Sequence, residues 1–136
     1  MGGNDCEYLT ITSGKTFKSS EKDNRQGVFL TARQHPGESL SSYIMQGIID
    51  FLTSESEEAR YLRETCVFKI IPMVNPDGVA QGNYRTSLCG SDLNRKWKAP
   101  SKIHQPTVYY TKKLIYELRK THSLQLFCDF HGHSIK

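Results

Sequence analysis

The fold is most easily worked out by starting from residues 27–38, which read GVFLTARQHPGE. Residues 27–32 form a short apolar run with β-branched members, which predicts a buried strand. The turn His35-Pro36-Gly37-Glu38 follows, and its proline and glycine favour a tight bend. A histidine and a glutamate three residues apart on one turn can converge on a single ion. The sequence therefore predicts a strand that leads directly into two candidate metal ligands.

The rest of the chain alternates between helical and extended patterns. Apolar residues recur at helical spacing in two segments, and a charged segment between them also favours a helix. Helices are predicted at residues 40–52, 54–63 and 107–122, the last with Thr107 as its N-cap. Strands are predicted at residues 8–12, 27–32, 67–74 (ending near Pro72) and 124–130, with a long irregular loop at 75–105 and a turn at 75–78. The near-continuous apolar run of the last strand predicts burial on both of its faces.

This alternation predicts a layered α/β fold with a largely parallel sheet, in which ligands bind at the carboxyl ends of the strands. His131 directly follows the last strand, which makes it a better supported third ligand than His133. Three protein ligands leave the fourth position of zinc open for water, as in catalytic rather than structural sites. The sequence therefore predicts a catalytic metal centre.

Composition limits the other classes of function. The chain has 136 residues, of which 37% are hydrophobic, and this suits one domain with one core. Its net charge of +4 is too mild and too scattered for a nucleic-acid partner. No apolar run is long enough to span a membrane. The four cysteines form no C-x-x-C pair and follow no secretory signal, which predicts free thiols in the cytoplasm.

The long loop adds charged residues that suit a hydrolytic site. Arg85 is one of two arginines there, and an arginine beside a metal can stabilise the oxyanion that forms on a scissile carbonyl. Arg95, which follows Asn94, is the other, and an arginine in such a site can also bind a substrate carboxylate through a bidentate fork. Asp92 can orient a ligand histidine through a hydrogen bond. Taken singly, each of these side chains also fits an ordinary surface role.

Five motifs occur in one order along the chain. The motifs are HPGE at 35–38, NPDGV at 75–79, GNYR at 82–85, GSDLNRKW at 90–97 and DFHGHS at 129–134. Together they resemble the zinc metallocarboxypeptidases, and most of all the cytosolic carboxypeptidase branch. The resemblance covers residues 27–136.

The resemblance implies a layered α/β/α fold with a mostly parallel central sheet, truncated after the third zinc ligand. Residues 1–26 would be an N-terminal arm or the edge of a preceding region, and residues 27–136 the N-terminal, zinc-binding half of a carboxypeptidase catalytic domain. The implied substrates are C-terminal tails of peptides or proteins in the cytoplasm, tubulin among them, from which glutamate is removed.

The resemblance also implies individual roles for seven residues. His35, Glu38 and His131 would bind one zinc ion. Arg85 would polarise the scissile carbonyl as a catalytic residue. Asn94 and Arg95 would clamp the substrate's terminal carboxylate, and Asp92 would support a ligand histidine.

One departure from the family pattern bears on activity. No glutamate of this chain matches the general base of the family, so the 136-residue chain is predicted to be inactive by itself. Two alternatives stay open. An aspartoacylase-like zinc deacylase also uses a histidine, a glutamate and a later histidine. A non-catalytic zinc module could bind acidic C-terminal tails without cleaving them.

Overall fold

The computed structural model describes residues 2–14 and 23–133. One sheet lies between helices, and every predicted helix and strand is present. The strands are β1 (Leu9–Ile11), β2 (Gln26–Ala32), β3 (Cys66–Ile71) and β4 (Leu124–Phe130). The helices are α1 (Leu40–Thr53), α2 (Glu57–Thr65), α3 (Pro76–Ala80) and α4 (Pro106–Thr121), with one 3-10 turn at Leu93–Arg95. None of the helices described is long and apolar enough to cross a membrane.

The strand order places β2 in the middle of the sheet. The order is β1-β3-β2-β4, in which β2 runs parallel to both β3 and β4, and only β1 is antiparallel to its neighbour. Ala32 at the end of β2 pairs with Phe130 at the end of β4. The predicted α/β fold with a largely parallel sheet is confirmed, and the carboxyl ends of β2 and β4 lie side by side.

Side chains of β2 alternate between two hydrophobic clusters, one on each face of the sheet. Val28 and Leu30 pack in a cluster with Met45 of α1. Phe29, which is fully buried, packs in the other cluster with Val108 of α4. Burying a side chain of this size contributes roughly 1.5–3 kcal/mol. The sheet is therefore covered on both faces and holds the ends of β2 in a rigid position.

The outermost strand, β4, is less buried than predicted. Leu126 and Phe127 are 50% and 42% exposed. β4 pairs with β2 on one side and with no described strand on the other. A near-continuous apolar run is typical of strands that are covered on both faces. The predicted strand is present, but its predicted burial on both faces is wrong for the described residues.

Two local predictions are also wrong. Helix α4 begins at Pro106 with Gln105 as its N-cap, not at Thr107; proline suits the first helical position because its missing N–H has no partner to lose. Asn75 does not begin a mere turn, since its side chain accepts the N–H of Gly78 and caps helix α3. The predicted division at residue 26 stays a prediction, although β1 pairs with β3 in the same sheet.

Candidate metal centre

The candidate metal centre lies at the carboxyl ends of β2 and β4, where an open α/β sheet usually binds its ligands. His35 comes three residues after β2, and His131 directly follows β4. Glu38 lies just before helix α1. Since β2 and β4 are adjacent and parallel, the topology alone brings these three residues together. His35 is almost completely buried, whereas Glu38 and His131 are partly exposed.

Three donor atoms face one another in a tight triangle. The Nδ1 atoms of His35 and His131 are 3.2 Å apart. His35 Nδ1 lies 2.8 Å from Oε1 of Glu38, and His131 Nδ1 lies 2.9 Å from Oε2. Among the residues that the structure describes, this is the cluster of histidine, cysteine and acidic side chains whose geometry could hold a metal ion. His133 does not belong to it, in agreement with the preference for His131.

The outer nitrogen of each ring meets a carboxylate. His35 Nε2 lies 3.0 Å from Oδ1 of Asp92, and His131 Nε2 lies 2.7 Å from Oδ2 of Asp129. A carboxylate only accepts hydrogen bonds, so Asp92 and Asp129 favour the tautomer in which each ring carries its proton on Nε2. In that tautomer the two Nδ1 atoms present lone pairs toward each other and toward Glu38. A cation between these atoms would stabilise the arrangement.

The spacing of the triangle fits zinc. Ligands about 2.0–2.1 Å from a tetrahedral zinc ion lie roughly 3.3–3.4 Å from one another. The 3.2 Å between the two nitrogens is close to this value, whereas the 2.8 and 2.9 Å from these nitrogens to the Glu38 oxygens are shorter, so the carboxylate would move outward to admit an ion. Two imidazoles and one carboxylate are also a donor set typical of catalytic zinc sites. The residues present therefore fit the ion that the sequence predicts.

The ionisation of the site also favours a bound cation. Burial alone would raise the pKa of Glu38, but the Gly132 N–H that donates to its carboxylate and the adjacent rings of His131 and His35 hold this pKa below its usual value. Burial alone would lower the pKa of His131, but the charges of Asp129 and Glu38 raise it above its usual value. The site thus keeps its carboxylates ionised and attracts positive charge.

The other predicted residues differ in whether they contact the candidate ligands or the groups that support them. Arg85 donates through Nε to Oδ2 of Asp92 at 2.9 Å, and the same carboxylate contacts His35. Asn94 reaches Asp92 only through its backbone N–H. Arg95 is exposed, and its guanidinium makes no hydrogen bond or ion pair with any described residue. The structure therefore brings Asp92 and Arg85 to the candidate ligands, while Arg95 stands outside them.

The sequence matches the family described as zinc carboxypeptidase over residues 1–134. The chain belongs to this family. Cytosolic carboxypeptidase 4 of Homo sapiens is 50% identical in an alignment that covers all of this chain and 13% of that protein. Cytosolic carboxypeptidase 2 of Mus musculus is 49% identical, with coverage of 100% and 16%.

The fold of the family agrees with the structure. A metallo-carboxypeptidase from Pseudomonas aeruginosa is 33% identical and superposes with a TM-score of 0.80, over 96% of this chain and 32% of that one. The chain spans less than a fifth of the length of the two curated relatives above. The resemblance to zinc carboxypeptidases and the carboxypeptidase-like fold are thus confirmed.

In this zinc carboxypeptidase chain, a network of buried polar groups supports His131. Asp129 accepts hydrogen bonds from Thr31 Oγ1 at 2.7 Å and from Gln34 Nε2 at 2.5 Å, and it contacts the His131 ring. Gln34 is fully buried and accepts the indole N–H of Trp97 at 2.7 Å. Neither Asp129 nor Gln34 was predicted from the sequence to support a metal ligand. Asp129 was detectable in principle, because residues two apart on a strand project from the same face.

The backbone before the first ligand is held in an uncommon conformation. Arg33 has a φ of 52°, in the left-handed region that non-glycine residues rarely adopt. Its backbone N–H donates to Ser41, and its guanidinium donates to the Pro36 carbonyl and to Ser42. These bonds secure the bend that turns His35 toward Glu38, and no sequence pattern indicated them.

A small cavity of about 150 Å³ adjoins Glu38. Its wall includes Gly37, Tyr84 and His133. Gly37 donates its N–H to the Tyr84 carbonyl at 2.7 Å, and a Cβ at this glycine would lie only 2.8 Å from that oxygen. Only glycine therefore allows the loop that carries Arg85 to approach the ligand turn so closely.

Replacement of Asp129 by Asn is expected to weaken zinc binding. The amide keeps the volume of the side chain but carries no charge, and it holds the His131 ring less firmly. Loss of such a partner typically costs about 10–100-fold in metal affinity. The Kd is measured by competition with a chromophoric chelator. Asp50→Asn, at an exposed position of α1, is the matched control and should leave the Kd unchanged. Equal affinity in both variants would contradict a supporting role for Asp129.

Proposed function

We propose that His35, Glu38 and His131 bind one zinc ion and form the metal-binding part of a carboxypeptidase active site. The observation that carries this proposal is the triangle of donor atoms at the ends of two adjacent parallel strands. The proposed reaction is hydrolysis of the last peptide bond of a peptide or protein. Membership of the zinc carboxypeptidase family supports the choice of metal and of reaction.

Each residue around the centre receives a distinct proposed role. Zinc in such a site polarises the scissile carbonyl and lowers the pKa of a water molecule. Asp92 and Asp129 hold the two imidazole rings with their Nδ1 lone pairs directed inward. Arg85, which Asp92 holds beside His35, stabilises the negative charge that develops on the carbonyl oxygen.

Recognition of the chain end is assigned to Asn94 and Arg95. Both lie in the 3-10 turn Leu93–Arg95. The N–H of Asn94 donates to the Asp92 carboxylate, and that of Arg95 donates to the Asp92 backbone carbonyl. Asn94 therefore anchors the turn to the same carboxylate that supports His35. The unengaged guanidinium of Arg95 is available to form two parallel hydrogen bonds with a terminal carboxylate.

Arg95→Lys is expected to weaken binding of peptides with a free C-terminal carboxylate. Lysine keeps the charge but cannot reproduce the bidentate fork, so we expect roughly a tenfold increase in Kd. Binding is measured by fluorescence anisotropy with peptides labelled at the N-terminus. The same peptides with an amidated C-terminus should bind the unaltered chain poorly.

Equal affinity for acid and amide peptides would contradict a carboxylate clamp. The same assay also addresses the deacylase alternative. Turnover of N-acyl amino acids by the metal-loaded chain, without binding of peptides, would favour an aspartoacylase-like reaction instead.

The finer substrate assignment rests on the resemblance of the five motifs to the cytosolic carboxypeptidase branch. We propose protein tails that end in glutamate as substrates, tubulin tails among them, and the cytoplasm as the compartment. The relatives are named cytosolic carboxypeptidases, which supports this compartment. None of the four cysteines, all of which lie among the described residues, forms a disulfide, and this is typical of reducing compartments.

A further inference from the structure

The mild net charge of the chain conceals a strong separation of charge. Residues 93–120 carry eight lysine and arginine side chains and one glutamate, a net charge of +7. All other residues together carry ten basic and thirteen acidic side chains, a net charge of −3. The segment runs from the 3-10 turn to the end of α4. It therefore produces a positive potential on one part of the molecule, which attracts acidic partners.

A groove of about 480 Å³ lies within this segment, between residues 98–100 and helix α4. We call it the α4 groove. Its helical wall is formed by residues 109, 112, 113, 116 and 117, whose spacing puts them on one face of α4. Lys98 lies on the opposite wall. The groove is distinct from the cavity beside Glu38, since the two have no lining residue in common.

The shape of the groove is set by one lysine. Lys112 Nζ donates to the carbonyl oxygens of Trp97 at 2.7 Å and of Lys98 at 3.1 Å. These two bonds join the loop to the helix and leave one of the three ammonium N–H groups for a ligand. Trp97 is held in turn by Gln34, whose neighbour is His35. The groove therefore exists before any partner binds.

The lining of the groove suits carboxylates. Lys98 and Lys113 make no hydrogen bond with any residue that the structure describes, so their ammonium groups are available to a ligand. Tyr109 and Tyr116 are 36% and 54% exposed and offer hydroxyl donors and ring faces. The one acidic residue of the wall, Glu117, is paired with Lys120 at 2.9 Å, which offsets its charge. The surface thus combines several hydrogen-bond donors with an apolar floor.

We propose that the α4 groove binds an acidic segment of a polypeptide, separately from the metal centre. A peptide with several carboxylates can place them opposite Lys98 and Lys113 while its apolar atoms cover the tyrosine rings. Nucleic acid fits less well, because double-stranded DNA carries one negative charge per roughly 1.7 Å and requires a long basic track. The α4 groove is short, and Glu117 interrupts its basic wall.

The binding probe is a fluorescein-labelled peptide of alternating glutamate and glycine with a blocked N-terminus and an amidated C-terminus. The amide excludes a terminal carboxylate clamp, and a chelator in the buffer removes metal. Failure of the proposed zinc chemistry would therefore leave this experiment unaffected. Binding is expected to weaken as salt is raised, because exposed charges are screened.

The double variant Lys98→Gln/Lys113→Gln is expected to raise the Kd of this peptide by about three- to thirty-fold, the value expected for losing two exposed charge contacts. The matched control is Lys102→Gln/Arg119→Gln, which removes the same charge from exposed positions of the same segment that do not line the groove. The control should change the Kd by less than about twofold. Circular dichroism of both variants verifies that they fold.

Three results would overturn the proposal. Equal weakening in the two double variants would show that diffuse charge attracts the peptide rather than the groove. Equal binding of a glutamine-glycine peptide would exclude recognition of carboxylates. Displacement of the acidic peptide by a single-stranded oligonucleotide at much lower concentration would identify nucleic acid as the better partner.

Discussion

A His35→Ala variant should purify with almost no bound zinc, whereas the unaltered chain should carry one ion. The reason is geometric. His35 is the most buried of the three candidate ligands, and its Nδ1 lies within 3.2 Å of donor atoms on both Glu38 and His131. Removing it leaves only two ligands, Glu38 after β2 and His131 after β4, and it leaves the Asp92 carboxylate without the ring that it contacts. Zinc per chain is measured by inductively coupled plasma mass spectrometry after gel filtration.

The matched control is His104→Ala. His104 is exposed in the long loop and is not part of the triangle, so this variant should keep its zinc. Circular dichroism without metal separates loss of a ligand from loss of the fold, because both variants should show the same helical signal. Retention of a full zinc ion by a folded His35→Ala chain would refute the metal centre proposed here.

The position of the candidate centre was predictable because it depends on topology. His35 and His131 each follow an apolar run, and parallel strands end at the same edge of a sheet. Once β2 and β4 are recognised as strands, the two histidines must come close. The same reasoning favoured His131 over His133, since residues farther from the strand end are less firmly positioned.

The support of the centre was not predictable in the same way. Gln34, which follows β2, and Asp129 of β4 are ninety-five positions apart in sequence, yet their side chains form a hydrogen bond. Nothing in the sequence near either residue indicates the other. The left-handed conformation of Arg33 depends on Ser41, Ser42 and the Pro36 carbonyl, which the fold brings to it. Sequence patterns report local periodicity, whereas these contacts arise only from packing.

The prediction that β4 is buried on both faces failed for a different reason. Its apolar residues indicate a strand that is covered on both faces, but the burial of a strand depends on which elements lie beside it. In the described residues only β2 borders it, so Leu126 and Phe127 remain exposed. An apolar composition indicates that the faces of a strand need to be covered, but it does not identify the element that covers them.

The second large effect concerns the base that takes a proton from the attacking water. We expect the 136-residue chain with zinc to hydrolyse peptides ending in glutamate about 10²–10⁴-fold more slowly than a complete active site, the usual contribution of a positioned general base. Each carboxylate around the centre is already engaged. Glu38 contacts both histidines, Asp92 contacts His35 and Arg85, and Asp129 contacts His131 and Gln34.

The test compares the chain with a chimera that continues into the following segment of human cytosolic carboxypeptidase 4, the relative that is 50% identical to it. Release of free glutamate is measured for both proteins at equal zinc content. The chimera with His35→Ala is the control for contaminating peptidases and should show no turnover.

Comparable turnover by the chain and the chimera would mean that one of the three engaged carboxylates leaves its partners and acts as the base. Asp92 would be the first to examine, because it joins His35 to Arg85, and Asp92→Asn would then abolish the activity of the chain. Zinc binding and peptide binding without turnover in either protein would instead support the second alternative, a non-catalytic zinc module that binds acidic tails. A much faster chimera is the result that we expect, because the described carboxylates hold the zinc ligands in place and none remains to accept a proton.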